Sequence, residues 1–327
     1  MRPFDFATAR SVDDALDLVR NEPHASFVAG GTTLIDLMKQ GVETPAFVID
    51  INGLPLAKVE VTTGGVRIGA LARMTEVAYD PTIAERFPMI SQALLAGASG
   101  QLRNMATLGG NLLQRTRCPY FRDPTWPCNK RSPGSGCSAR AGVHRSQAIF
   151  GTSEACIATH PSDVAVAFAA LGATVRVTGP AGDRTIAFDD FHTVPDDHPE
   201  IETTLGRGEL IVGIEVPFSA PARTSTYVKV RDRASYAFAL VSVACGMHVE
   251  SGRISAARLA LGGVGTKPWR SHEAEAELNG AAPETATYRR AAEAALAAAQ
   301  PLPDNAFKVP LAKNAIVRAL ASLEASA

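Results

Sequence analysis

Hydrophobic and polar positions along the chain follow a period that changes several times. Val12, Ala15, Leu16 and Val19 recur at helical spacing after Ser11, a good N-cap residue with Asp14 three positions on. The stretch "SFVAGGTTLIDLMKQG" then predicts a short apolar strand, a Gly-Gly-Thr-Thr turn and a second helix ending at Gly41. "AFVIDINGL" predicts another strand, and from about residue 59 the texture shifts. "GVRIGAL" predicts a strand and residues 82–97 a helix. After a segment rich in Pro, Gly and Arg, "SDVAVAFAALGATVRVTG" reads as helix into strand and "GELIVGIEVP" as a further strand. Pro217 and "SAPARTS" mark a boundary. Three strands follow, "TYVKVRD", "AFALVSVACGMHV" and "ISAARLALGGV", then an alanine-rich helical tail from about Glu273 to the end. Strands followed by helices imply an α+β C-terminal domain.

At 327 residues the chain exceeds what one compact core usually fills, so two or three domains are expected. The formal net charge is −1, which gives no general pull toward nucleic acid or a membrane surface. No apolar run reaches membrane-spanning length, and the N-terminal "MRPFDFATARSVDDALDL" lacks the apolar core of a signal peptide. Synthesis in the cytoplasm is expected, with export alongside a partner left open. No nucleophile–base pair and no G-x-S-x-G stands out, and the seven histidines are scattered, His160 before a proline among them.

Two Gly turns carry candidate chemistry. In "FVAGGTTL" a strand ends in two glycines and two threonines just as a helix begins, so backbone and hydroxyl donors can meet a phosphate. Alone, that turn reads equally as a tight strand-to-helix connection. "TLGGN", Thr107 to Asn111, offers the same donors again, whereas no G-x-G-x-x-G fingerprint follows any strand. "LGGVGTK" lacks the Gly-Lys-Ser/Thr ending of a phosphate loop and reads as a strand end.

Four of the five cysteines, Cys118, Cys128, Cys137 and Cys156, fall in the Pro-, Gly- and Arg-rich segment, separated by nine, eight and eighteen residues. Structural zinc usually uses close C-x2–4-C pairs, absent here; disulfides suit neither a reducing compartment nor this odd count. An iron–sulfur cluster needs four thiolates from a loop able to wrap it, and the long gaps favour it over zinc. Arg115, Arg117, Arg122, Lys130, Arg131, Arg140 and Arg145 stand against Asp123 alone, a basic run that suits an anionic cluster, a solvated surface or a docking face. Cys245 lies in an apolar strand and reads as a small buried hydrophobe.

"FVAGGTTLIDLMK", "GASGQLRNMATLGGNLLQRTRCPYF", "CNKRSPGSGC", "EACIATHPSDVAVA" and "YVKVRDRASYAFALVSVA" together resemble the FAD-binding (medium) subunit of the xanthine dehydrogenase, or molybdenum hydroxylase, family. In particular they resemble the bacterial periplasmic aldehyde oxidoreductases, whose flavin subunit carries an extra [4Fe–4S] cluster. The resemblance runs from "RPFDF" to "FKVPLAKNAI". It implies an α+β chain: a two-lobed PCMH-type, vanillyl-alcohol-oxidase-like FAD-binding domain followed by a carbon-monoxide-dehydrogenase-flavoprotein-type C-terminal domain. The implied divisions are 1–58, 59–219 with an iron–sulfur loop insert at about 115–157, and 220–327.

Carried over by position, Ser26, Phe27, Val28, Ala29, Gly30, Gly31, Thr32, Thr33 and Leu34 would hold the FAD pyrophosphate. Thr107 would add a donor, with Gly110 and Asn111 in support. Asp163 would bind a polar part of the cofactor, although by itself it reads as a helix N-cap. Ile211 would pack against the cofactor, and Lys229 would sit near the flavin. Cys118, Cys128, Cys137 and Cys156 would ligate the [4Fe–4S] cluster. The resemblance further implies a large partner with the molybdenum cofactor and a small partner with two [2Fe–2S] clusters, together a heterotrimer that oxidises aldehydes. Electrons would pass through FAD to oxygen, a quinone or a protein. The compartment would be cytoplasmic, or periplasmic by co-export with a signal-bearing partner. Two other classes stay open: a stand-alone FAD reductase, and a non-redox scaffold stapled by zinc.

Overall fold

The computed structural model describes residues 1–324, so the last three residues of the expected helical tail lie outside the described residues. Three short strands, β1 (Asp5–Thr8), β2 (Ala25–Val28) and β3 (Phe47–Asp50), form an all-parallel sheet with β3 in the centre. The helices between them make the parallel order possible. In the first, Val12–Asn21, Ser11 Oγ accepts from Asp14 N at 3.0 Å, and Ala15, Leu16 and Val19 turn inward. The second, Leu34–Gln40, follows the Gly-Gly-Thr-Thr turn and stops where Gly41 adopts φ 72°, a left-handed cap that favours glycine.

The next unit is an antiparallel sheet of β4 (Val59–Val61), β5 (Gly65–Gly69), β6 (Thr174–Gly179), β7 (Gly182–Ala187) and β8 (Leu210–Pro217), in the order β4-β5-β8-β6-β7. The helix expected over 82–97 is two helices, Pro81–Arg86 and Pro88–Ala96. Pro88 lacks the N–H the first helix would need and pushes Phe87 out of helical geometry. Against the second of these packs the helix Asp163–Leu171, whose residues Val164–Leu171 are all buried. A helix apolar all round must be covered on every side. This one meets its cover in the two middle strands of the last unit.

That unit is a second antiparallel sheet, β9 (Ser225–Val230), β10 (Val241–Glu250), β11 (Arg253–Gly262) and β12 (Trp269–Arg270), in the order β12-β11-β10-β9. The alanine-rich tail divides into helices His272–Leu278, Thr285–Leu296 and Lys308–Glu324, whose buried residues share one core with this sheet. Cys245 is fully buried there, as expected.

The cysteine segment has little regular structure beyond the one-turn helices Pro119–Arg122 and Ser138–Ala141. The start of the C-terminal helix pins its far end. Lys308 is fully buried, and its ammonium donates to the carbonyls of Ser146 (3.0 Å), Gln147 (2.8 Å) and Gly263 (2.7 Å). Burial, helped by the nearby Arg145 charge, pushes its pKa down to about 7. Three carbonyls facing three N–H groups oppose that shift. Lys308→Met strands these acceptors in a dry site and is expected to cost about 3 kcal/mol. A thermal midpoint several degrees lower is the readout.

Candidate functional site

Gly30 sits where the parallel sheet meets the helical layer of the second unit. A Cβ on Gly30 would lie 1.9 Å from the Met105 carbonyl oxygen, so only glycine allows this approach. Gly31 has φ 69°, the left-handed region. The backbone N–H groups of Gly30, Gly31, Thr32 and Thr33 donate to no protein acceptor among the described residues, and the Thr32 and Thr33 hydroxyls are likewise unpaired there. This row of open donors ahead of a helix has the chemistry of an anion cradle. In the second turn, Thr107 is the cap of the helix Leu108–Leu112, its Oγ1 accepting from Gly110 N at 3.3 Å.

Two cavities open from this junction. The first, about 490 Å³, is lined by Ser26–Leu34, Thr107, Gly110 and Ile211. The second, about 520 Å³, is lined by Thr32, Thr33, Gly110, Asn111, Asp163 and Lys229. Thr32, Thr33 and Gly110 belong to both, so the two form one extended groove. Every residue expected at the flavin therefore lies along it. Their open donors, close glycines and mixed apolar walls fit a long ligand with a phosphate-bearing middle.

Three features differ from the expectation or were missed by it. The cap of the helix Asp163–Leu171 is Ser162, whose Oγ accepts from Ala165 N at 3.1 Å; Asp163 is the first helical residue. Freed from capping, Asp163 accepts from Lys229 Nζ at 2.8 Å and from the Tyr227 hydroxyl at 2.6 Å. Burial, then the Asp163 charge, pushes the Tyr227 hydroxyl well above its ordinary range, so it stays a donor. Arg207–Leu210 and the segment Arg233–Phe238 also line the groove. Gly208, at φ 79°, is the one local signal in the former; the latter lies within "YVKVRDRASYAFALVSVA", which carries the resemblance but in which only Lys229 is singled out.

The four cysteines converge. Cys118, Cys128, Cys137 and Cys156 are free thiols lining one small cavity, with Tyr120, Phe121 and Ala158 around them. Burial pushes the Cys118 thiol up and Cys156 up to about 11. Gln147 Nε2 donates to Cys118 Sγ and Ala158 N to Cys156 Sγ, both at 3.4 Å. Among the described residues, no group of three or more His, Cys, Asp or Glu side chains is arranged to hold a single metal ion. The basic run is not a free surface. Arg115 pairs with Glu43 and Glu202, Arg122 with Asp36, Lys130 with Glu202 at 2.9 Å and Arg145 with Asp232 at 3.0 Å. Arg131 donates instead to the Tyr120 and Phe121 carbonyls.

A family model for the FAD-binding domain in molybdopterin dehydrogenase matches residues 2–219, and one for the CO dehydrogenase flavoprotein C-terminal domain matches 226–323. The chain belongs to the FAD-binding subunits of the molybdopterin dehydrogenases. The aldehyde oxidoreductase FAD-binding subunit PaoB of Escherichia coli (strain K12) is 49% identical over 329 aligned positions, covering 100% of both chains. The glyceraldehyde dehydrogenase medium chain of Sulfolobus acidocaldarius is 29% identical over 278, covering 85% of this chain and 81% of that one. Among solved structures, carbon monoxide dehydrogenase from Hydrogenophaga pseudoflava superposes with a TM-score of 0.78 at 26% identity, covering 99% and 98% of the two chains. As a member of this family the chain is an electron-transfer flavoprotein subunit with FAD as its cofactor, and substrate oxidation takes place on a partner subunit. No helix among the described residues is long and apolar enough to cross a membrane.

A third cavity, about 230 Å³, lies between groove and thiols, sharing Arg115 with one and Cys156 with the other. His160 and His192 line it with rings 4.5 Å apart. His192 Nε2 contacts the Leu112 carbonyl at 3.0 Å, and its Nδ1 has no partner. Burial, only partly offset by that carbonyl, lowers its pKa from 6.5 to about 4. The unfolded chain thus binds a proton that the folded chain refuses, and stability falls as pH drops from 6.5 through 4. The loss from this residue is expected to reach about 3 kcal/mol. Unfolding measured between pH 7 and pH 4 should show a shallower acid slope in His192→Gln than in the parent.

Proposed function

We propose that this subunit relays electrons in an aldehyde-oxidising, molybdenum-dependent heterotrimer, from two [2Fe–2S] clusters on a small partner to an external acceptor. The molybdenum cofactor resides on a large partner in this reading. Support comes from the aldehyde-acting relatives and from one observation in particular: the two Gly turns line one groove that ends at the Asp163–Lys229 pair. When bound, FAD supplies the exchange between one-electron donors and one- or two-electron acceptors.

Each expected residue then has a task of its own. The Gly30–Thr33 N–H groups and the threonine hydroxyls hold the pyrophosphate, with Thr107, Gly110 and Asn111 opposite and Ser26–Ala29 and Leu34 shaping the wall. Ile211, 4% exposed, gives the apolar side. Lys229 places a fixed cation at the far end; Asp163, Tyr227 and the Ala96 carbonyl hold it still and dry. The divisions 1–58, 59–219 and 220–327 follow the three sheets in this reading.

Cys118, Cys128, Cys137 and Cys156 hold a [4Fe–4S] cluster in this proposal. A single zinc at ~2.3 Å from each sulfur would draw the four to within about 4 Å of one another. A four-iron cluster would be held by the same four thiolates, and the long, Gly- and Pro-rich gaps between them would let the loop wrap it. Lys130, whose charge favours the Cys156 thiolate, complements an anionic cluster.

Two variants separate the parts. Gly30→Ala should weaken FAD retention by about tenfold or more, since overpacking of this kind costs about 1–3 kcal/mol. Gly64→Ala, whose Cβ meets nothing within 4 Å, should retain FAD fully and serves as the control. Cys128→Ser in the anaerobically isolated complex should lose about four iron and four sulfide per FAD. Zinc without the extra sulfide in the parent would reduce the loop to a structural staple.

A further inference from the structure

Gln147 is 1% exposed, lies outside the flavin groove and is not one of the four thiols. A buried amide without a partner is costly, and Gln147 spends its Nε2 donor on Cys118 Sγ at 3.4 Å. Its main chain is held from three directions. Gln147 N donates to the His144 carbonyl at 3.0 Å. Its carbonyl accepts from Lys308 Nζ at 2.8 Å and from Asn305 Nδ2 at 3.3 Å. Cys118 is fixed from its own side, its N–H donating to Thr116 Oγ1 at 3.2 Å. The Phe121 and Tyr120 amides at Cys118 and the Ala158 amide at Cys156 belong to the backbone, whereas Gln147 is a side chain that sequence can change.

We infer that Gln147 is a positioning residue that raises the reduction potential of the group held by Cys118, and that the C-terminal domain sets it through Lys308 and Asn305. The inference rests on the [4Fe–4S] reading. An N–H dipole aimed at a thiolate stabilises the more negative, reduced cluster more than the oxidised one, and a dry site strengthens the effect. Outer partners of this kind tune a metal site through its ligands. Lys308 and Asn305 lie about 160 residues from Gln147 along the chain, so the geometry at the thiols depends on docking of the C-terminal helix.

The test is a redox titration of the complex isolated with its partner subunits, monitored by the paramagnetic resonance of the reduced four-iron cluster. The parent, Gln147→Leu and Gln147→Glu are compared. Leucine keeps the bulk without the donor; glutamate keeps the shape and turns a dipole toward the sulfur into a repulsive oxygen. The expected order of potentials is Gln above Leu above Glu. The first step should drop the reduced-to-oxidised ratio at fixed potential about tenfold, or about 59 mV for one electron. A role in packing alone would move Leu and Glu together without that order. Equal potentials in all three overturn the inference while leaving the cluster in place. FAD retained with the cluster lost in both variants would make Gln147 an assembly residue and overturn its tuning role. A parent with flavin but without the extra iron and sulfide overturns the cluster reading itself.

Discussion

The approach of Gly30 to the Met105 carbonyl fixes where the parallel sheet and the helical layer meet, and the groove exists because they meet there. Arg73 ties the same junction. It donates to the Met105 carbonyl and, at 2.9 Å, to Asn52 Oδ1, while Asn52 Nδ2 donates to the Ala29 carbonyl at 2.9 Å. One guanidinium thus joins the start of the Gly turn to the helix end opposite it. A side chain at position 30 would force the two surfaces apart and would separate the Thr32–Thr33 donors from Gly110 across the groove. Close backbone approach is what permits two glycine turns, far apart in sequence, to face one ligand.

The thiol segment solves a different problem, since a loop with little regular structure must still present four sulfurs to one point. Its backbone groups are met by its own side chains. Asn129 accepts from Gly136 N at 2.7 Å and donates to the Ala155 carbonyl at 3.0 Å; Ser135 Oγ accepts from Cys128 N at 3.0 Å. Its cations are met by carboxylates from elsewhere. Asp36, on the helix that follows the first Gly turn, pairs with Arg117 at 3.6 Å and with Arg122, the residues that bracket Cys118 and its one-turn helix. The same helix contributes Leu37 to the apolar cluster around the cysteines. One helix therefore shapes both the groove and the wall of the thiol cavity.

Local grammar was legible in the sequence; distance was not. Ser11 and Gly41 announced helix ends because a cap is a single-residue event with a single chemical cause. The two Gly turns could be read as anion cradles, but nothing in either says that they meet. The Asp163–Lys229 pair spans 66 positions, and Asp163 by itself reads as a helix N-cap, so it gave no hint of its partner. Strands β1 and β7 were not read, because both are mostly exposed and carry no alternation to detect. The long buried strands β8, β10 and β11 were plain from their apolar runs. The basic run was visible as charge, but its neutralisation by Glu43, Glu202 and Asp36 requires the fold.

Of the C-terminal domain's roles, the resemblance pointed only to Lys229; the others require the fold. Its sheet supplies Lys229 and Tyr227 from β9, at one end of the groove. Its last helix supplies Lys308, which with Asn305 before it holds the backbone beside Cys118. The helix Asp163–Leu171, buried from Val164 on, depends on the same domain for cover, yet it carries Asp163 into the groove at its first residue. Electrostatics and packing thus run through one element. An aspartate at a helix start is favoured by the dipole, fixed by a lysine and a tyrosine from the neighbouring sheet, and shielded from water by the contact that buries the rest of the helix. A domain that completes the polar end of one cavity and braces the wall of the other is a structural condition of both.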